Sequence, residues 1–77
     1  MTQYNLSNSV DAANFADEQR DAISTEIKAS DGSLLTGQDI NILWDLWNVD
    51  ILNKVGEEDA EEAAIIFRAV ADEFTER

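Results

Sequence analysis

The sequence predicts an all-α fold, a small three-helix domain built as a single layer of helices around one core. Three observations predict it. Apolar residues recur at helical spacing in three stretches. Three glycines and no proline break the chain. A length of 77 residues, 44% hydrophobic, leaves room for one domain and one small core. Chains this short usually need a staple or a partner, and without cysteine or histidine neither a disulfide nor a Cys/His zinc site can serve. A homodimer is one remaining route.

Residues 1–8, carrying Tyr4 and Leu6, read as a loose N-terminal arm, and residues 9–77 as a single helical domain without internal repeat or linker. The chain start has neither the basic opening nor the apolar run of a signal peptide, and no stretch approaches the ~18 apolar residues of a membrane span. The expectation is a soluble, cytoplasmic protein.

The first helix is expected from about Ser9 to Ala29. Phe15, Ala16, Ile23 and Ile27 fall on one side, and Asn14, Asp17, Asp21 and Lys28 on the other. Gln19 and Glu26 intrude on the apolar side, which predicts a weak face at the edge of the core. Ser30, Asp31, Gly32 and Ser33 then have the composition of a turn.

The second helix has a stronger start. Thr36 can cap it with Asp39 at N3, and Leu35 and Ile40 have the spacing of a hydrophobic staple. Gly56 is placed to form a left-handed C-terminal cap. Between them, Ile40, Leu43, Trp44, Trp47, Ile51 and Val55 share an arc of about 120°. Ile42, Leu46 and Val49 make a second row nearly opposite, set off on one side by Asn41, Asp45 and Asn48. A helix apolar on two faces wants two neighbours, so the row predicts either a central, sandwiched position or a surface for a homodimer or another protein.

The third helix is expected from about Glu57 to Glu76, joined to the second only by Gly56, so the pair is either two helices at a tight corner, the favoured reading, or one long kinked helix. Ala60, Ala63, Ala64, Ile66, Phe67, Val70, Ala71 and Phe74 form a broad apolar side whose small residues permit close approach of another helix. Ile40, Trp44, Trp47, Ile51, Phe67, Val70 and Phe74 are the expected centre of the core.

The residue inventory points away from catalysis. There is no histidine or cysteine for a nucleophile–base pair or a zinc site, no GxSxG elbow and no phosphate-cradling glycine loop. Paired carboxylates can run acid/base chemistry only when one is desolvated in a cleft, and so small a helical domain leaves little volume for one. From Asp45 to Asp59 the EF-hand pattern fails, because Trp47 and Leu52 fall where oxygen ligands belong. No enzyme activity, cofactor or metal is expected.

Charge is the dominant feature. Seventeen acids against five bases give −12, which disfavours direct binding to nucleic acid or an anionic membrane and favours proteins with basic surfaces. Residues 57–77 hold eight of the acids and two bases, half of the net charge. Carboxylates at Glu57, Glu58 and Asp59 would complement a helix dipole by about 0.3–1 kcal/mol each. Glu61 and Glu62, one turn on, make like-charge i, i+4 pairs costing about 0.2–0.5 kcal/mol apiece, as do Asp17/Asp21 and Asp72/Glu76. Only Asp50/Lys54 and Glu73/Arg77 have the favourable order.

Three explanations compete for this acid: a solvated face, adaptation to high salt, and imitation of nucleic-acid phosphates. Carboxylates at i and i+4 lie about 6 Å apart along a helix, of the same order as the ~3.4 Å step of phosphates along one strand. In size, charge and lack of catalytic groups the chain resembles the small acidic inhibitors encoded by bacteriophages and mobile elements, which include DNA-mimicking anti-restriction and anti-CRISPR proteins. No motif is matched residue by residue. The resemblance implies a stoichiometric inhibitor that occupies the basic nucleic-acid-binding surface of a partner protein. Glu57, Glu58, Asp59, Glu61 and Glu62 would supply the patch, extended by Asp72, Glu73 and Glu76. The alternative is a helical adaptor or dimeric assembly subunit working through Ile42, Leu46 and Val49.

Overall fold

The computed structural model describes residues 4–29, 32 and 34–75. They form three α-helices and no strand: α1 is Ser9–Ala29, α2 is Gly37–Val55 and α3 is Ala60–Asp72, with a single 3₁₀ turn at Glu57–Asp59. The expected all-α, three-helix architecture is what the chain adopts. Of the expected turn after α1 only Gly32 is described, at φ 79°; Ser30, Asp31 and Ser33 lie outside the described residues, as do residues 1–3 and Glu76.

The signals at the ends of α2 act as the sequence suggests, with one difference. Thr36 accepts from the Asp39 backbone N–H at 3.2 Å while Asp39 Oδ2 accepts from Thr36 N–H at 2.9 Å, a complete capping box that satisfies two otherwise orphaned donors. Gly56 ends the helix by donating to the Leu52 carbonyl at 2.8 Å. Its φ of 83° is left-handed, but its ψ of 161° is extended, so it does not form the αL cap. That combination is open essentially to glycine alone, and it makes α2 and α3 two helices rather than one kinked rod.

The middle helix is α3. It packs against both α1 and α2, whereas α1 and α2 make no close backbone approach to each other. The expectation of a sandwiched α2 is therefore overturned, for a physical reason. Among the three helices only α3 has alanines among its buried residues, Ala63 and Ala71, both fully buried. Phe67, also fully buried, lies between them and meets Trp44 at 5.4 Å between ring centroids and Trp47 edge-on at 6.1 Å. The two tryptophans are half-buried lids on Phe67 rather than core centres, in keeping with how seldom so large a ring is fully enclosed. Ile40, Leu43, Ile51, Val55, Phe67 and Val70 are buried.

Helix α1 is not peripheral. Phe15 and Ile23 are, with Phe67, the largest fully buried side chains, and Gln19 is buried between them in an i, i+4, i+8 stripe. No buried side-chain N or O among the described residues lacks a partner, so the glutamine that weakens the apolar pattern costs the packed structure no orphaned polar atom.

The N-terminal segment, expected to be loose, is fastened where it is described. Leu6 is buried, the Tyr4 N–H donates to the Lys54 carbonyl at 3.1 Å, and the Tyr4 ring packs edge-on against Phe15 at 5.8 Å. At the other end α3 stops at Asp72 instead of reaching Glu76. Acids at a helix C-terminus oppose the dipole, and Asp72 and Glu73 stand there. Phe74 is half-buried beyond the helix, and its carbonyl accepts from Leu35 N–H at 2.8 Å next to an isolated parallel bridge between Leu35 and Thr75. This clasp ties the α1–α2 connection to the chain end.

Two substitutions report on this arrangement. Ile23→Ala should cost about 2–5 kcal/mol in urea unfolding followed by circular dichroism, against well under 1 kcal/mol for an edge position. Gly56→Ala should cost about 1–3 kcal/mol because alanine cannot relax at that backbone geometry. A loss below about 0.5 kcal/mol in the second would contradict the strained corner.

Candidate protein-interaction surfaces

The acidic residues singled out in the sequence divide by environment. Asp59 is partly spent on structure, since its Oδ2 accepts from Leu6 N–H at 3.1 Å and holds the N-terminal segment. Glu73 Oε2 takes Arg20 Nη2 at 3.0 Å and Nε at 3.3 Å, and Arg20 also pairs with Asp17 at 2.6 Å. Asp72 accepts from the Thr75 hydroxyl at 3.3 Å. Glu76 lies outside the described residues. What remains at the α2–α3 corner is a tighter group of exposed carboxylates, Glu57, Glu58, Glu61 and Glu62, none paired with a cation among the described residues.

Their local origin differs from the expected one. Glu57 and Glu58 belong to the 3₁₀ turn, and Asp59, at φ −102° and ψ 13°, breaks regular geometry before α3 begins. The first-turn acids of α3 are Glu61 and Glu62, so the dipole stabilisation predicted for Glu57–Asp59 falls on them. Glu57 and Glu58 therefore do not share one continuous α-helix with Glu61 and Glu62, as the sequence suggested.

Beside this group is a cleft of about 550 Å³ lined by Tyr4, Asn5, Val55, Gly56, Glu57, Glu58 and Asp59. One wall is the fastened N-terminal segment, a contribution hidden from sequence reasoning because nothing local ties residues 4–5 to a corner more than fifty positions away. Its anchor is a partly buried network in which the Tyr4 hydroxyl donates to Glu18 Oε2 at 2.6 Å and Lys54 Nζ donates to Glu18 Oε1. Burial opposes charge on Glu18, but the hydrogen bonds from Lys54 and Tyr4 and the Lys54 charge outweigh it and lower its pKa. The same hydrogen bond, then burial and the nearby carboxylates, raise the pKa of Tyr4. Lys54 is thus turned to Glu18, and the Asp50/Lys54 pair expected from sequence does not form.

The second candidate surface is the outward face of α2. With the core stripe turned inward, Ile42, Leu46 and Val49 are 48%, 68% and 64% exposed. Asp45 and Asp50 are exposed along its two edges. The wheel positions of these two aspartates were readable from sequence, but their pairing state was not, since it depends on where Lys54 goes.

None of the described residues forms a group of three or more potential ligands placed to hold a metal ion, and no described helix is long and apolar enough to cross a membrane. Compared with protein-family models, curated proteins and solved structures, the chain matches none. Its own geometry carries the functional reading.

The Glu18 network sets a pH expectation. Its folded pKa lies below the ordinary 4.5, so its contribution is fully present above that value and fades as pH falls through the lower folded pKa. Because protonation also relieves repulsion elsewhere on the chain, the measurement is the stability difference between the natural chain and Glu18→Gln. That difference should be largest at pH 6–7 and shrink below about pH 4.5. A difference independent of pH would mean the Glu18 charge contributes no stability.

Proposed function

We propose that this chain is a non-enzymatic acidic binding protein that acts stoichiometrically, occupying the basic nucleic-acid-binding surface of a partner protein. The observation that carries the reading is the corner group of Glu57, Glu58, Glu61 and Glu62, exposed and unpaired among the described residues beside a cleft that Glu57, Glu58 and Asp59 line on one side. A solvated face needs no recess. A cleft of this size admits an arginine or lysine side chain, whose ammonium or guanidinium would meet Glu57 and Glu58 while carboxylates on α3 engage neighbouring cations. Asp59, Asp72 and Glu73 would extend the field without surrendering their internal partners. The mode of action corresponds to that of the counter-defence inhibitors of bacteriophages and mobile elements, of anti-restriction or anti-CRISPR kind, working in the cytoplasm.

The exposure of Ile42, Leu46 and Val49 favours a second reading: a helical adaptor or dimeric assembly subunit that works through the α2 face. Ionic strength separates the two. Binding through the carboxylates weakens steeply with salt, whereas an apolar contact is nearly indifferent to it.

The decisive variant is Glu58→Lys/Glu61→Lys/Glu62→Lys, at exposed positions. Replacing the first-turn acids Glu61 and Glu62 costs α3 about 0.3–1 kcal/mol each, so circular dichroism must show the variant folded before its binding is read, with Glu58→Gln/Glu61→Gln/Glu62→Gln as the milder control. Immobilised natural chain should retain nucleic-acid-binding proteins from a cell lysate, release them at moderate salt, and lose them to excess duplex DNA. The triple variant should retain none of them. Equal retention by the variant, or indifference to DNA, would sink the proposal.

A further inference from the structure

The outward ridge of α2 is more than apolar. At 100° per residue, Val49, Ile42 and Leu46 span roughly 60° of the wheel, and Asp45 and Asp50 stand roughly 40° beyond its two edges. Both carboxylates are exposed and neither has a cation among the described residues. The lysine one turn after Asp50 is committed to Glu18, and the guanidinium of Arg68, on α3 beside this face, is turned to Asn41 Oδ1 at 3.2 Å. The ridge is therefore an apolar strip with a carboxylate on each rim.

We infer that this strip docks a partner helix that presents an apolar stripe flanked on both sides by lysine or arginine. The inference rests on the second functional reading, in which the α2 face is an interaction surface, and adds the chemistry of what it meets. Charge complementarity selects the occupant. A second copy of this chain, paired through the same face, would bring Asp45 and Asp50 against identical carboxylates and one −12 molecule against another. Three ridge side chains also fall far short of the ~800 Å² per partner of a stable interface, which suits a modest contact with a cationic helix better than a self-sufficient dimer. A partner stripe with acidic or neutral flanks would leave the rim carboxylates uncompensated as the strip is desolvated.

The test uses the full ¹⁵N-labelled chain and two synthetic helical peptides of about 20 residues, long enough to be helical, with one shared leucine stripe. One peptide carries lysine on both flanks, the other glutamate. In about 0.15 M salt, the lysine-flanked peptide should move the amide signals of residues 42–50 and bind roughly 2- to 30-fold more tightly than the glutamate-flanked one, the range expected of two exposed ion pairs. Asp45→Lys/Asp50→Lys, at exposed positions that do not threaten the fold, should reverse the preference. Leu46→Asp should abolish binding of both. An unreversed preference, or shifts centred on Glu57–Glu62, would overturn the inference. Equal binding of the two peptides at the ridge would overturn it too while leaving the second reading intact, whereas no binding of either at the ridge would remove both. Sedimentation showing a dimer that Leu46→Asp dissolves would assign the strip to a second copy instead.

Discussion

Everything in this molecule is arranged around the close packing that α3 permits. Phe67 is enclosed under two tryptophans from α2, while Ala63 and Ala71 on the same side let backbones draw near. Interiors pack at crystal-like density, so a helix serving two neighbours at once must be narrow on its buried side. Of the three helices only α3 has buried alanines, which lie on either side of Phe67. Once it occupies the middle, α1 is driven to contribute Phe15 and Ile23 to the core, and α2 is left with one covered face. The exposed ridge is thus a consequence of α3, not a defect of α2.

Placing α3 in the middle also requires the chain to turn sharply out of α2, and Gly56 with its left-handed φ does so. The corner gathers the acid. Exposed ion pairs contribute little, and of the three that form among the described residues two link separate elements: Arg20 reaches from α1 to Glu73 while also holding Asp17 on its own helix, and Lys54 reaches from α2 to Glu18. Two of the scarce cations, Arg20 and Lys54, are spent on tertiary ties, while the carboxylates of the corner and the ridge edges stay unpaired among the described residues. The unbalanced charge is therefore a property of particular faces.

Much of this could be read from the residues. Thr36 and Asp39 announced their capping box, Gly56 announced a break, and the α2 stripe announced its buried side. The readings that failed did so because they needed tertiary knowledge. Two opposed apolar rows on α2 are compatible with a sandwiched or a surface helix, and what decides is the alanine density of a different helix. Gln19 looked like an intruder because polarity was weighed without the stripe made by Phe15 and Ile23 around it. The clasp of Leu35 on Phe74, and the wall that Tyr4 and Asn5 lend to the cleft, join residues far apart in sequence and leave no local pattern. The carboxylates of the corner were found as a run. Which acids of the last segment are committed to structure, as Asp59 at the corner and Glu73 at the far end of α3 are, depends on partners more than fifty positions away.

The two proposed surfaces have different physical capacities. Long-range charge raises the rate of encounter with basic partners, but solvent-exposed carboxylates hold a complex weakly once formed. Apolar burial does the reverse, adding little to encounter and prolonging residence. The ridge ends at Val49, and Asp50 and Asn53 lead along the same exposed side of α2 toward the corner at Gly56. A partner surface that is cationic throughout and apolar in one strip would engage both regions, with the corner steering it and the ridge retaining it. On that view the acid need not imitate phosphate closely. It has only to bring the right class of surface within reach of a short apolar strip whose rim carboxylates would favour basic flanks over neutral or acidic ones.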